Sequence, residues 1–172
     1  AGPAAKPSAY STAAADAVLP ATYGALEVLP ARERGWKVTG WDPVEAFTTA
    51  IQRMIAGGQA DFSVKEYEPL VWRVRRLGDP ETDARVVAKF DGKPEAGPFA
   101  ILGKVGTGRV LQMATGLDGR LFDNNRGWNN FYTDSSIGLV LIDQINRDMA
   151  GTGSQSAQAN WIARPGQKPE VD

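Results

Sequence analysis

Residues 97–115 restrict the possible folds of this chain more than any other stretch. Two apolar segments are separated there only by Gly106-Thr107-Gly108, and a glycine turn this short joins antiparallel strands. A third apolar segment, residues 84–90, lies just upstream. Because a parallel crossover needs a dozen or more residues, the sequence predicts an antiparallel three-strand section over about 84–115.

Two helices are predicted to flank this section. The first covers about 44–56, because Asp42 can cap it, Pro43 suits its first turn and Glu45 stands where a capping box needs it. The second covers about 135–150 and carries a broad apolar stripe. The remaining predicted elements are a helix at 8–19 and strands at 26–29, 36–41 and 70–75. The expected fold class is therefore α/β, with a mixed sheet between the two flanking helices.

The composition is that of one globular domain. The chain has 172 residues, of which 42% are hydrophobic and 23% charged, enough to build a proper core. We expect a single α/β domain over 9–151, preceded by a disordered or expression-derived start at 1–8. The Gly/Ser/Gln/Pro-rich stretch 152–172 is expected to be a linker or tail. A start without methionine indicates a mature protein or a fragment of a longer one.

Several classes of chemistry are disfavoured by what the sequence lacks. It contains no cysteine and no histidine, so thiol nucleophiles, imidazole bases and the usual zinc ligands are missing. We expect no cofactor and no metal. The net charge is −1 without a basic run, which argues against a nucleic-acid partner. No apolar run approaches the ~20 residues of a membrane span.

A polar connection at 116–134 is the predicted contact surface. A connection this long without a pattern of its own is usually functional or a cover for the core. Tryptophan and arginine dominate binding hot spots, so Trp128 and Arg120 are the expected anchors. Asn129 and Asn130, next to Trp128, complete the expected binding set.

Two other functions remain open from the residues alone. A carbohydrate- or small-ligand-binding module would use Trp36 and Trp128 as stacking surfaces, with Asp118 and Asp123 as polar contacts. A carboxylate-dependent hydrolase would use the same two aspartates as acid and base. The loop does not have the spacing of an EF-hand, and residues 103–109 read as a hairpin turn rather than a phosphate loop.

The order of residues resembles a region of bacterial, membrane-anchored Bat-like proteins, especially planctomycete ones. Those proteins carry a von Willebrand A domain and a glutamine-amidotransferase-like domain. The resemblance is carried by Gly106-Thr107-Gly108-Arg109-Val110-Leu111, Leu117-Asp118, Trp128-Asn129-Asn130-Phe131, Asp148-Met149-Ala150-Gly151, Ala9-Tyr10, Leu19-Pro20-Ala21 and Phe90-Asp91-Gly92-Lys93-Pro94. It implies an amidotransferase-like α/β sandwich, or the C-terminal portion of one, held in the cell envelope.

The same resemblance implies a non-catalytic relative, or a domain whose catalytic half would lie before Ala1. Working amidotransferases of this fold use a cysteine and a histidine, and no position of this chain supplies either. The leading hypothesis is a non-catalytic, amidotransferase-like structural or protein-interaction domain of a cell-envelope protein. Its partner would be another protein or a neighbouring domain of a longer chain, and no catalytic residue is assigned.

Overall fold

The computed structural model of the protein describes residues 12–29, 34–45, 47–49, 52–53, 69–91, 97–116, 127–131 and 137–150. These residues form seven strands and three helices. The strands are β1 (Tyr23–Val28), β2 (Trp36–Thr39), β3 (Leu70–Val71), β4 (Arg73–Leu77), β5 (Arg85–Phe90), β6 (Pro98–Val105) and β7 (Gly108–Met113). The helices are α1 (Ala13–Asp16), α2 (helical residues 47–49 and 52–53) and α3 (Ile137–Met149).

The β6–β7 hairpin has its turn within the predicted Gly106-Thr107-Gly108 stretch, with Gly108 already in β7. Its strands pair without interruption from Ala100 opposite Met113 to Val105 opposite Gly108, which leaves a two-residue turn. Gly106 takes a φ of 58°, the left-handed conformation that glycine adopts without steric cost. β5 pairs antiparallel with β6 on the other side. The predicted antiparallel three-strand section is therefore confirmed.

The described strands form two sheets. One has five strands in the order β3-β2-β5-β6-β7, and the other pairs β1 with β4. Every pairing between these strands is antiparallel. The sheet that the sequence predicted to be mixed is thus antiparallel over its described strands, and the coarser expectation of an α/β protein holds.

One bent strand joins the two sheets and curls the larger one. The chain leaves β3 and enters β4 at Trp72, so the predicted strand at 70–75 is split between the sheets. The amide of Arg75 donates to the carbonyl of Ala114 at 2.6 Å, and the Thr115 hydroxyl donates to the carbonyl of Arg73 at 3.1 Å. Each of these hydrogen bonds joins a residue of β4 to a residue that follows β7. The bent strand therefore forms one edge of the five-stranded sheet through β3 and hydrogen-bonds through β4 with the residues after β7 at the other edge, so the sheet curls into a barrel-like shape.

The core is built around β6. Its residues 99–103 are all buried, so this strand is covered on both faces. Phe99 lies at the centre of an aromatic group, with ring centroids 5.5 Å from Phe90, 6.0 Å from Trp41 and 6.1 Å from Phe131. These edge-to-face contacts join β5, the end of β2 and the segment 127–131 to a single core.

A buried glutamine fastens the chain before β1 to the barrel. Gln112 on β7 donates to the carbonyl of Ala21 and accepts from its amide, each at 2.9 Å. The side chain thereby imitates a neighbouring strand and satisfies two buried backbone groups. Nothing in the alternation of apolar residues distinguishes this position from an exposed one.

The helices agree with the sequence in place but not in every detail. α1 has Thr12 as its N-cap and covers less than the predicted 8–19, part of which lies outside the described residues. Asp42 caps the approach to α2 by accepting from the Val44 amide at 2.9 Å. The helical residues of α2 lie within the predicted 44–56, and α3 matches the predicted 135–150.

Parts of the predicted domain organisation fall outside this structure. The expected start at 1–8 and the expected tail at 152–172 belong to residues that it does not describe, so the division of the chain remains a prediction. Among the described residues, no helix is long and apolar enough to cross a membrane.

Candidate functional site

The predicted binding residues 128–130 are buried. Trp128 is 2% exposed, Asn129 5% and Asn130 2%, and Phe131 beside them is 1% exposed. Arg120, Asp118 and Asp123 lie outside the described residues. The three residues of the Trp-Asn-Asn motif therefore lie below the surface, where they form hydrogen bonds with neighbouring backbone groups.

Asn129 joins two described parts of the long connection, residues 115–116 and residues 129–131. Its Nδ2 donates to the carbonyl of Gly116 at 2.6 Å and to the hydroxyl of Thr115 at 3.3 Å. Its Oδ1 accepts from the amide of Phe131 at 3.1 Å. Both ends of the side-chain amide are therefore used, and residue 116 is kept within hydrogen-bond distance of residue 129.

Asn130 and Trp128 fasten the same segment to the bent strand. The amide of Asn130 donates to the carbonyl of Leu70 at 3.1 Å, and Asn130 Oδ1 accepts from the Leu70 amide at 2.8 Å. The carbonyl of Trp128 accepts from the amides of Trp72 and Arg73 at 2.8 and 3.2 Å. The backbone amides at the bend between β3 and β4 thus find hydrogen-bond acceptors in residue 128, which is not part of a regular strand.

We call residues 115–116 and 128–131, with these hydrogen bonds, the loop base. It consists of buried backbone and side-chain amides, and it joins β7, the bent strand and the aromatic core around Phe99. The indole N–H of Trp128 has no hydrogen-bond acceptor among the described residues, so Trp128 is held by packing and by its carbonyl. The loop base can position the connection between residues 116 and 128.

Trp36, the residue expected to stack on a sugar, belongs to the core. It is 7% exposed on β2, and its ring centroid lies 5.8 Å from that of Phe90. Neither Trp36 nor Trp128 presents an open ring face to solvent. The carbohydrate hypothesis thus finds no aromatic platform among these two residues.

A second polar centre, which the sequence did not reveal, surrounds Glu45. Its carboxylate forms ion pairs with Arg85 and Arg109, although the residue is only 8% exposed. Arg85 also contacts Asp42, with Nη1 2.6 Å from Oδ2, and Arg109 contacts Asp148, with Nη1 3.3 Å from Oδ2. We call these five residues the Glu45 network.

The role predicted for Glu45 was wrong in one respect. In a capping box its side chain would accept from the Asp42 amide, but that amide donates to the carbonyl of Val87 at 2.9 Å. The carboxylate turns instead to the two arginines that β5 and β7 bring near it. Ion pairs in a partly buried place compete well with a hydrogen bond to an amide that already has an acceptor.

The Glu45 network joins separate parts of the fold through ion pairs. Each guanidinium spans two carboxylates, so the acidic groups are engaged in ion pairs. Among the described residues, no group of three or more acidic side chains is arranged to hold a metal ion. The network links β5, β7, the turn before α2 and the last turn of α3.

A shallow groove of about 430 Å³ is lined by residues outside the loop base and the Glu45 network. It runs between the end of α1, the turn at 81–84 and the end of β6. Glu81, Asp83 and Lys104 are exposed on its rim, which therefore carries charges of both signs. None of the residues predicted to bind a ligand lines it.

Comparison with known proteins gives no relative from which a function could be transferred. The chain matches no family model, no curated protein and no solved structure.

Proposed function

We propose that this protein is a non-catalytic, amidotransferase-like structural or protein-interaction domain of a cell-envelope protein. The connection at 116–134 is its contact element, and Arg120 is an anchor within it. The observation that supports this proposal most is the hydrogen bond from the Asn129 side chain to Gly116. It holds residue 116, where the connection starts, beside residue 129.

The loop base supports an interaction role through preorganisation. A partner that binds a connection whose ends are already fixed loses less conformational entropy than one that must order a free segment. In this proposal Trp128, Asn129 and Asn130 are positioning residues, because they are buried. The direct contacts then come from the residues between 116 and 128.

The non-catalytic part of the proposal is supported by the side chains available. The chain has no cysteine or histidine for amidotransferase chemistry. The carboxylates of the Glu45 network are committed to arginines. The amidotransferase-like fold and the envelope location both come from the resemblance of the sequence, to which the hairpin turn at Gly106-Thr107-Gly108 and the Trp-Asn-Asn motif belong.

A photo-crosslinking experiment tests the contact element. A photoreactive phenylalanine analogue is placed at Arg120 in the full chain and, as a control, at Glu81 on the groove rim. Both proteins are irradiated in envelope extracts of the source organism. We expect one discrete crosslinked protein from position 120 that is missing from position 81. Equal labelling from both positions, or none from position 120, would contradict the assignment.

The catalytic alternative is tested on the same purified chain. Release of ammonia from glutamine and hydrolysis of model esters should stay at the level of the buffer. Turnover that disappears when Asp118 or Asp123 is changed to asparagine would favour the hydrolase.

Quenching of tryptophan fluorescence by a glycan or by calcium would favour the ligand-binding module.

A further inference from the structure

The described side chains of α3, at residues 140–150, bury little apolar surface against the barrel. Among residues 140–150, Leu141 alone is buried, while Ile145 and Met149 are partly buried against the core. The other side chains of this range are intermediate or exposed. A segment that buries as little apolar surface as residues 140–150 belongs to the part of a protein that opens at low free energy.

The last turn of α3 has a charged attachment in addition. Asp148 is paired with Arg109 on β7, and the two side chains are 13% and 31% exposed. The same guanidinium is paired with Glu45, whose side chain is 10% exposed. Arg109 thus bridges a carboxylate of α3 and a carboxylate of the turn before α2, in a place that solvent screens only in part.

The position of Asp148 within the helix is unfavourable without this partner. It is the penultimate residue of α3, and a negative charge in the last turn of a helix opposes the helix dipole. Its charge therefore destabilises an isolated α3 and stabilises a docked one. A side chain with opposite effects on two states biases the equilibrium between them.

We propose that Arg109 and Asp148 form an electrostatic latch that holds α3 against the barrel. α3 undocks as a unit while the sheet stays folded, and the latch makes this equilibrium sensitive to ionic strength. Undocking uncovers the apolar stripe of Leu141, Ile145 and Met149. The latch is independent of the loop base and of the function proposed for it.

Hydrogen exchange of the full 172-residue chain tests the latch with a matched pair of variants. Asp148→Asn removes the latch charge, and Asp143→Asn removes an equal charge from the same helix. Asp143 is 53% exposed, and among the described residues its carboxylate contacts Arg147 and Gln144 of the same helix. If the helix dipole alone mattered, Asp148→Asn would slow exchange in α3.

The latch predicts the opposite sign. In Asp148→Asn the amides of α3 exchange about tenfold faster, equivalent to about 1.4 kcal/mol, while those of β5 and β6 are unchanged. Asp143→Asn stays within about twofold of the wild type. Raising the salt concentration speeds α3 exchange in the wild type by about twofold or more and leaves Asp148→Asn unaffected.

Three results would overturn the proposal. The first is an Asp148→Asn variant that exchanges no faster than Asp143→Asn. The second is faster exchange that spreads equally through β5 and β6, which means global destabilisation. The third is wild-type α3 exchange that does not depend on salt, and this measurement needs no variant to fold.

Discussion

The side-chain amide of Asn129 donates to the carbonyl of Gly116 at 2.6 Å, although the two residues are separated by a long polar connection. Asn129 also accepts from the amide of Phe131, so one buried side chain fixes the backbone on both sides of that connection. The functional proposal and the first prediction depend on this contact.

Asn129→Ala should lower the free energy of unfolding by about 2–3 kcal/mol, because it leaves the Gly116 carbonyl and the Phe131 amide without their buried partner. Urea denaturation measures the change. Asn146→Ala, at an exposed position of α3, is the control and should change stability by less than about 0.5 kcal/mol. An Asn129→Ala protein as stable as the control would show that solvent replaces the lost hydrogen bonds.

Gln112→Ala should lower the free energy of unfolding by a similar amount, about 2–3 kcal/mol, because the buried amide and carbonyl of Ala21 lose their hydrogen-bond partner. Gln112 has no contact with the loop base among those described above. The same denaturation experiment gives the value. A cost below about 1 kcal/mol would mean that the chain before β1 is not held by this side chain.

Glu45→Gln should lower the free energy of unfolding by about 1–3 kcal/mol, because Arg85 and Arg109 lose a shared carboxylate but remain partly exposed to solvent. Glu27→Gln, which weakens a more exposed pair with Arg76, should cost less than about 1 kcal/mol. Thermal unfolding at low and high salt compares the two. If both variants lose the same stability, burial of Glu45 adds nothing to its ion pairs.

Gly106→Ala should cost about 1 kcal/mol through backbone strain alone. Gly106 has a φ of 58°, and a Cβ placed there would meet nothing within 4 Å. Gly106→Asn is the matched variant, because asparagine adopts this conformation more readily. We expect calorimetry to find Asn between Gly and Ala. Equal loss with both substitutions would indicate that the turn needs glycine for another reason.

The sequence predicted what depends on neighbours along the chain. The turn at Gly106-Thr107-Gly108 and the short connections of 84–115 were sufficient to predict the hairpins of β5, β6 and β7. The bend at Trp72 could not be predicted in this way, because the amides of Trp72 and Arg73 donate to the carbonyl of Trp128, which is distant in the sequence.

The polar centres were missed for the same reason. Asparagines in a polar connection are usually exposed, and only the fold shows that Asn129 and Asn130 are buried. In the Glu45 network, Arg85 lies 43 residues from Asp42 and Arg109 lies 64 residues from Glu45. Local patterns such as the capping box cannot contain partners at these separations.

Binding of the protein captured through position 120 to purified variants tests the role of the loop base most directly. The comparison uses Asn129→Ala and Gln112→Ala, which should be destabilised equally. The account predicts that Asn129→Ala weakens binding about tenfold or more, while Gln112→Ala binds like the wild type. Equal affinity for all three proteins, or an equal loss in both variants, would contradict it.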